Sequence, residues 1–212
     1  SKLWLYNAHY LDVLNARDMD GYVTYQKALL TRWVSENPEP IGNGWEPYCI
    51  SLRLVNIIKW MSRNGQCDDL LLSSVHQQAA SLFDQIEFHI LGNHLFANAK
   101  ALVFAGTFCE TSEANAWLEN GLKILDRQVL EQFLNDGARF ELSPMYHAIL
   151  LWDLCDLIKL SQRSGVALLQ QREESWKRTL RNGLLWLQKM LHPDGNIFFF
   201  NDSAFEIAPN YS

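Results

Sequence analysis

Apolar residues recur in this chain in two helical patterns that alternate along its length, and that alternation restricts the fold more than any other feature. In the first pattern they form one stripe. Tyr22, Tyr25, Leu29, Leu30, Trp33 and Val34 repeat at steps of three and four, as in a helix with a single buried face ending near Asn37-Pro38. In the second pattern they surround the axis. Between Tyr48 and Arg63, the residues Cys49, Ile50, Leu52, Leu54, Val55, Ile57, Ile58, Trp60 and Met61 leave no broad polar face, so this helix must be enclosed. The pair then repeats. Leu71 to Ile90 is striped and stops at Gly92; Leu95 to Phe108 is apolar on most sides, with Ala97, Ala99, Ala101, Ala105 and Gly106 small enough for close packing. Trp117 to Phe133 is striped, and Ser143-Pro144 reads as an N-cap with proline at the first helical position, opening an apolar-rich helix to about Gln162. Leu168 to Leu191 is striped again, and after the turn His192-Pro193-Asp194-Gly195, Ile197 to Phe200 reads as a short strand, one arm of a small hairpin.

Outer and inner helices alternating at roughly 45 to 50 residues per pair imply a solenoid or a closed ring. An (α/α) toroid accounts better for inner helices that are apolar all round. The expectation is therefore an all-α, single toroid domain over residues 1–212. It is left incomplete because the sequence stops where the next inner helix would begin. The opening Ser-Lys-Leu is neither a signal peptide nor an initiator methionine, which suggests a piece of a longer chain. With 212 residues, 48% apolar and 20% charged, the chain can bury a sizeable core and does not look disordered. No apolar run approaches the roughly 20 residues of a membrane span. The net charge of −6 lacks the basic footprint of a nucleic-acid binder, yet a local basic cleft can sit on an acidic protein. Cys49, Cys67, Cys109 and Cys155 form no C-x-x-C pair. The three in apolar helical stretches (Cys49, Cys109 and Cys155) read as buried thiols, with a bridge or a reactive cysteine as the alternative.

In a double-layer ring the inner helices run parallel, so every outer-to-inner loop falls at one end. Those loops, Asn37–Pro47, Leu91–His94, Asn135–Pro144 and His192–Ser203, gather most of the unusual polar groups: Trp45, Glu46, Asn93, His94, Arg139, Glu141, Tyr146, His147, Asn201 and Asp202. Inner-helix N-termini also point there and suit an anion. Each feature has a plainer reading. Gly92-Asn93-His94 also reads as a helix end followed by an N-cap asparagine, and Ser143 to His147 as a capped start with a half-buried tyrosine. Arg53, Asn56, Lys59 and Arg63 recur along one face of an otherwise apolar helix. The ordinary reading is a solvated stripe, but an inner helix meets solvent mainly at a central cavity, so Arg53 and Asn56 are expected to line it. His89 and His94 share no helix face and no H-E-x-x-H occurs, so no metal site is expected. Cys67-Asp68-Asp69 reads as capping acids.

Four stretches, Lys2 to Tyr10, Trp45 to Asn56, Gly92 to Leu102 and Glu141 to His147, with Asp194 to Ser203 near the end, together resemble the helical domain of the heparinase II/III-like polysaccharide lyases. The resemblance implies an incomplete toroid followed in the full chain by a β-sandwich domain, and β-elimination of a uronate-containing polysaccharide of the heparin or alginate kind. It implies that Asn93, with His94 beside it, neutralises the substrate carboxylate and that Tyr146 serves as acid or base. A further His and often a Tyr come from the β-sandwich, so this segment alone is expected to be inactive. It calls for no cofactor here, leaves room for a structural metal in the β-sandwich, and suggests a periplasmic or secreted protein.

The residue types fit that chemistry. Removing a proton α to a carboxylate builds an enolate-like dianion unless donors neutralise the acid. A tyrosine with a reference pKa of about 10 needs cationic neighbours to act as a base, and His147, Arg53 and Arg139 are candidates. Trp45 and Tyr48 could stack on sugar rings or belong to the core. The expected substrate contacts are thus Trp45, Glu46, Tyr48, Arg53, Asn56, Arg139, Glu141, His147 and Asp202, with an acidic polysaccharide as partner. A glycoside hydrolase using two of Glu46, Glu141 and Asp202, or a glycan-binding module without chemistry, are the alternatives.

Overall fold

The computed structural model describes residues 2–16, 20–90, 92–204 and 207–208. Among them the chain is all-α, with eight α-helices and no sheet. It packs as two compact units, residues 1–124 and 125–212.

The first unit holds α1 (Lys2–Tyr10), α2 (Val23–Glu36), α3 (Pro47–Asn64), α4 (Asp69–Asp84), α5 (Gly92–Phe108) and most of α6 (Ala114–Gln132). The alternation of patterns becomes an alternation of burial. On α2 only Gln26, Leu30 and Trp33 are buried, whereas every residue of α5 from Leu95 to Ala105 is. Helix α3 packs against α1, α4 and α5. Its start is set by Pro47 at the first helical position, its end by Gly65 in the left-handed conformation. Close approach of α5 and α6 requires Gly106 and Gly121, where a Cβ would meet backbone atoms of the facing helix within 3 Å. Asp68 caps α4 as expected, its carboxylate accepting the Leu71 N–H at 3.0 Å.

The second unit begins at Leu125, within α6, and holds α7 (Pro144–Ser164) and α8 (Ala167–Lys189). The turn at Asn135–Gly137 forms, closed by Leu134 N–H to Ala138 O at 2.8 Å, and Gly137 lies against the Asn182 backbone of α8. The expected hairpin shrinks to a single bridge between Leu191 and Ile197 around the turn at Gly195, with no strand pair.

The striped segment from Leu71 does not stay helical to Ile90. Helix α4 ends at Asp84: the Gln85 backbone N–H closes the last turn on Leu82 O at 3.1 Å, and its side-chain amide donates to Trp45 O and Ser81 Oγ, both at 3.1 Å. The next residues, with Glu87 N–H donating to Asn98 Oδ1 at 2.9 Å, carry Glu87 into the face of α5.

Candidate functional site

In the first unit the starts of α3 and α5 lie side by side, so these two inner helices run parallel. Tyr48, in the first turn of α3, and His94, in the first turn of α5, stack ring on ring with centroids 4.3 Å apart and planes 25° from parallel. Asn93 donates from Nδ2 to the Tyr48 hydroxyl at 3.4 Å. His94 Nδ1 meets Glu87 Oε1 at 3.1 Å. Glu87 is buried and is itself held by Asn98 Nδ2 at 3.1 Å, while the same amide donates to Ser51 Oγ at 3.0 Å. The sequence-expected pair Asn93 and His94 therefore sits half-buried on Tyr48, over a fully bonded polar layer. Glu87 and Asn98 were not foreseen. Their signal was an isolated acid in Ile86-Glu87-Phe88 and an asparagine inside the apolar-rich α5, both of which need partners when buried.

Beside this cluster Glu46, at the N-cap position of α3, is tied to α1 by Lys2 Nζ at 3.1 Å and by the Tyr6 hydroxyl. Asn56 is bonded rather than lining a cavity. Its amide donates to Tyr10 O at 3.0 Å and Asp12 Oδ1 at 2.8 Å, and it accepts from Asn15 at 3.1 Å, pinning the end of α1 to α3.

Two expected substrate contacts of this unit lie in the core: Trp45 takes the core role its sequence also allowed, and Arg53 is corrected from its expected lining role. Trp45 is buried, tilted against Trp33 with its indole N–H on Asn37 O at 3.1 Å. Arg53 is fully buried: its guanidinium lies 3.8 Å from the centre of a Trp33 ring, with Nε on Gln78 Oε1 at 2.8 Å and Nη1 on His9 O at 3.3 Å. No carboxylate is bonded to it among the described residues, and burial pushes its pKa down. It is a structural cation, pinning α1 to α3 through stacking and neutral acceptors. Burial, then the Arg53 charge, also lowers His9.

In the second unit, Ser143 Oγ accepts the Tyr146 N–H at 3.5 Å, and Ser203 Oγ accepts the Met145 N–H at 3.3 Å while meeting Ser143 Oγ at 3.1 Å. The start of α7 is therefore capped from within rather than open to an anion. The signal for Ser203 lay in Asn201-Asp202-Ser203, three residues with short oxygen-bearing side chains. The loop that supplies it is fixed by Asn201 Nδ2 on Glu141 O at 3.1 Å, and Asp202 is exposed.

Tyr146 is half-buried, and the Arg139 guanidinium lies 5.1 Å from its ring centre. Arg139 is fully buried, bonded to Gln132 Oε1 at 3.2 Å and paired with Glu141 at 3.0 Å. It is thus a support behind Tyr146, not a surface contact. His147 is also fully buried, between Phe133 and Trp186, with Nε2 on Gly183 O at 2.9 Å. Burial lowers its pKa, and the nearby Arg139 charge acts the same way against the Gly183 bond. Its neutral ring cannot serve as a cationic neighbour of Tyr146.

Among the described residues no helix is long and apolar enough to cross a membrane, and no three His, Cys, Asp or Glu side chains group as metal ligands do.

Comparison with known proteins agrees with this architecture. The family model for the heparinase II/III N-terminus matches residues 13–209. A heparin-sulfate lyase of Pedobacter heparinus is 32% identical over 137 residues, which is 62% of this chain and 20% of that protein. One from Bacteroides stercoris is 29% identical over 125 residues, 57% of this chain and 18% of that protein. Among solved structures, heparinase III superposes with a TM-score of 0.69 at 22% identity, covering 94% of this chain and 32% of that one. A heparan sulfate lyase mutant from Pedobacter heparinus gives 0.61 at 25%, covering 92% and 32%. The chain thus spans about a fifth of the length of these curated relatives and about a third of these solved chains. Its fold is that of the N-terminal helical toroid of heparinase III. With nearly its whole length matched by the family model, the chain belongs to the heparinase II/III family, to whose N-terminal helical part it corresponds.

Proposed function

We propose that this chain is the helical, substrate-binding part of a polysaccharide lyase that cleaves a uronate-containing glycosaminoglycan by β-elimination, with heparan sulfate as the substrate class indicated by the name of a similar solved protein. The observation that supports it best is the Asn93–Tyr48–His94 cluster at the starts of two parallel inner helices. There an amide donor and an imidazole are presented half-exposed, above a polar layer whose own bonds are satisfied.

In this reading Asn93 donates to the uronate carboxylate, so that charge developing as the C5 proton leaves is met by a fixed donor. A base takes the C5 proton, the C4–O bond breaks, the departing oxygen receives a proton, and a C4–C5 double bond remains. Tyr146 is the acid or base. The Arg139 guanidinium lies 5.1 Å from its ring centre and fixes the face of the ring turned to the core. The paired-carboxylate hydrolase has less support, since Glu46 is tied to Lys2 and Tyr6, and Glu141 to Arg139.

The experiment is to substitute Asn93→Ala and Tyr146→Phe in the full-length protein and measure turnover of heparan sulfate oligosaccharides. Loss of one fixed donor to a developing oxyanion costs about 10²–10³ in kcat. Full rates in both variants would remove these assignments.

A further inference from the structure

Asn98 gives the two oxygens of Glu87 different partners, and this carries a consequence for His94. A carboxylate offers only acceptors, so the contact at 3.1 Å between His94 Nδ1 and Glu87 Oε1 requires the proton on Nδ1. Glu87 cannot turn away from this task. It is buried, its Oε2 receives the Asn98 amide at 3.1 Å, and its own backbone N–H is held by Asn98 Oδ1 at 2.9 Å. Asn98 is oriented in turn by Ser51 Oγ at 3.0 Å, and the Ser51 hydroxyl donates to Pro47 O at 2.8 Å at the start of α3. The chain of bonds therefore runs from the α3 backbone to the His94 ring, and Tyr48 stacked on that ring blocks rotation on one face.

We propose that Glu87 is a positioning residue that holds neutral His94 as the Nδ1–H tautomer, leaving Nε2, the nitrogen not turned to Glu87, as a proton acceptor for the substrate. Once protonated, the ring keeps Glu87 as its counter-charge and presents Nε2–H as a second donor beside Asn93, which suits an acidic sugar and offers a neutral one less. The consequence for catalysis rests on the lyase reading; the tautomer does not.

Glu87→Gln makes the distinction sharp. Asn98 Nδ2 can donate only to the new amide oxygen, which places the amide NH2 against His94 Nδ1 and forces the opposite tautomer, Nε2–H. The experiment is nitrogen NMR of histidine-labelled full-length protein without substrate, with His94 assigned by substitution. Wild type is expected to show neutral His94 protonated at Nδ1, and Glu87→Gln protonated at Nε2. Turnover by Glu87→Gln is expected to fall about 10- to 100-fold, mostly in kcat, as when the group orienting a working imidazole is removed. Wild-type His94 protonated at Nε2 would overturn the proposal without any variant, so a poorly folding Glu87→Gln does not shelter it. Correct tautomers in a protein that yields no unsaturated product would leave the lock standing and remove the lyase reading. Correct tautomers with unchanged turnover would remove the positioning role.

Discussion

Replacing Gly106 by alanine sets helix propensity against packing, and the structure decides the sign. In a helix interior alanine is better than glycine by about 1 kcal/mol, so the sequence alone predicts stabilisation. A Cβ at Gly106, however, would lie 2.5 Å from the Ala114 carbonyl oxygen, 2.5 Å from the Leu118 nitrogen and 2.8 Å from Leu118 Cβ. Ordinary contact begins about 3.5 Å, so α6 must retreat by about 1 Å. Two of the three atoms are backbone, and no rotamer change moves them. Overpacking of this kind costs about 1–3 kcal/mol, and rigid neighbours put it at the upper end. After the propensity gain, Gly106→Ala is expected to lose about 1–2 kcal/mol. Gly65, in the left-handed conformation with no atom within 4 Å, is the comparison: alanine there loses about 1 kcal/mol from backbone strain alone. Urea unfolding followed by circular dichroism, with the slope compared between variants, measures both. A Gly106→Ala protein as stable as wild type would show that α5 and α6 do not meet as described.

Two other predictions concern charge. Asp68→Ala removes the cap of α4 and is expected to lose about 1 kcal/mol at neutral pH by thermal or urea unfolding. Hydrogen bonds from Lys27 and the Leu71 N–H hold the Asp68 carboxyl below its usual range, so its contribution exists above that range and is lost as pH falls through the folded value. The gap between variant and wild type should therefore close toward low pH. His147 behaves oppositely to a paired histidine: burial lowers its folded pKa, so the unfolded chain takes up the proton first and stability falls as pH drops below about 6.5. Melting curves between pH 7 and pH 5 should slope less in His147→Gln than in wild type, and equal slopes would place the ring in solvent.

The helices were legible because their evidence is local and redundant. Ser143-Pro144 and Asp68 marked starts, and the many apolar and small residues of α5 marked it as an enclosed helix. What failed depended on single long-range bonds. The Gln85 side chain caps the end of α4 by reaching the Trp45 carbonyl across 40 residues, a bond that no stripe of leucines reports. Arg53 reads as a lining cation because arginines rarely go inside. It is buried since Trp33, Gln78 and His9 together offer a face and two acceptors, and no periodicity announces such a trio. At the candidate site Asn93 and His94 were legible as an unusual polar pair. The residues that orient His94 were not, because a buried Glu87 and Asn98 look like any acid and amide until they are seen bonded to each other.

The product of the reaction distinguishes elimination from hydrolysis directly. Full-length protein incubated with heparan sulfate should release oligosaccharides carrying a C4–C5 unsaturated uronate. Their ultraviolet absorbance should rise with each cleavage, at the mass of the saturated product less one water. Cleavage products that carry the added water and no such absorbance would show hydrolysis in place of elimination.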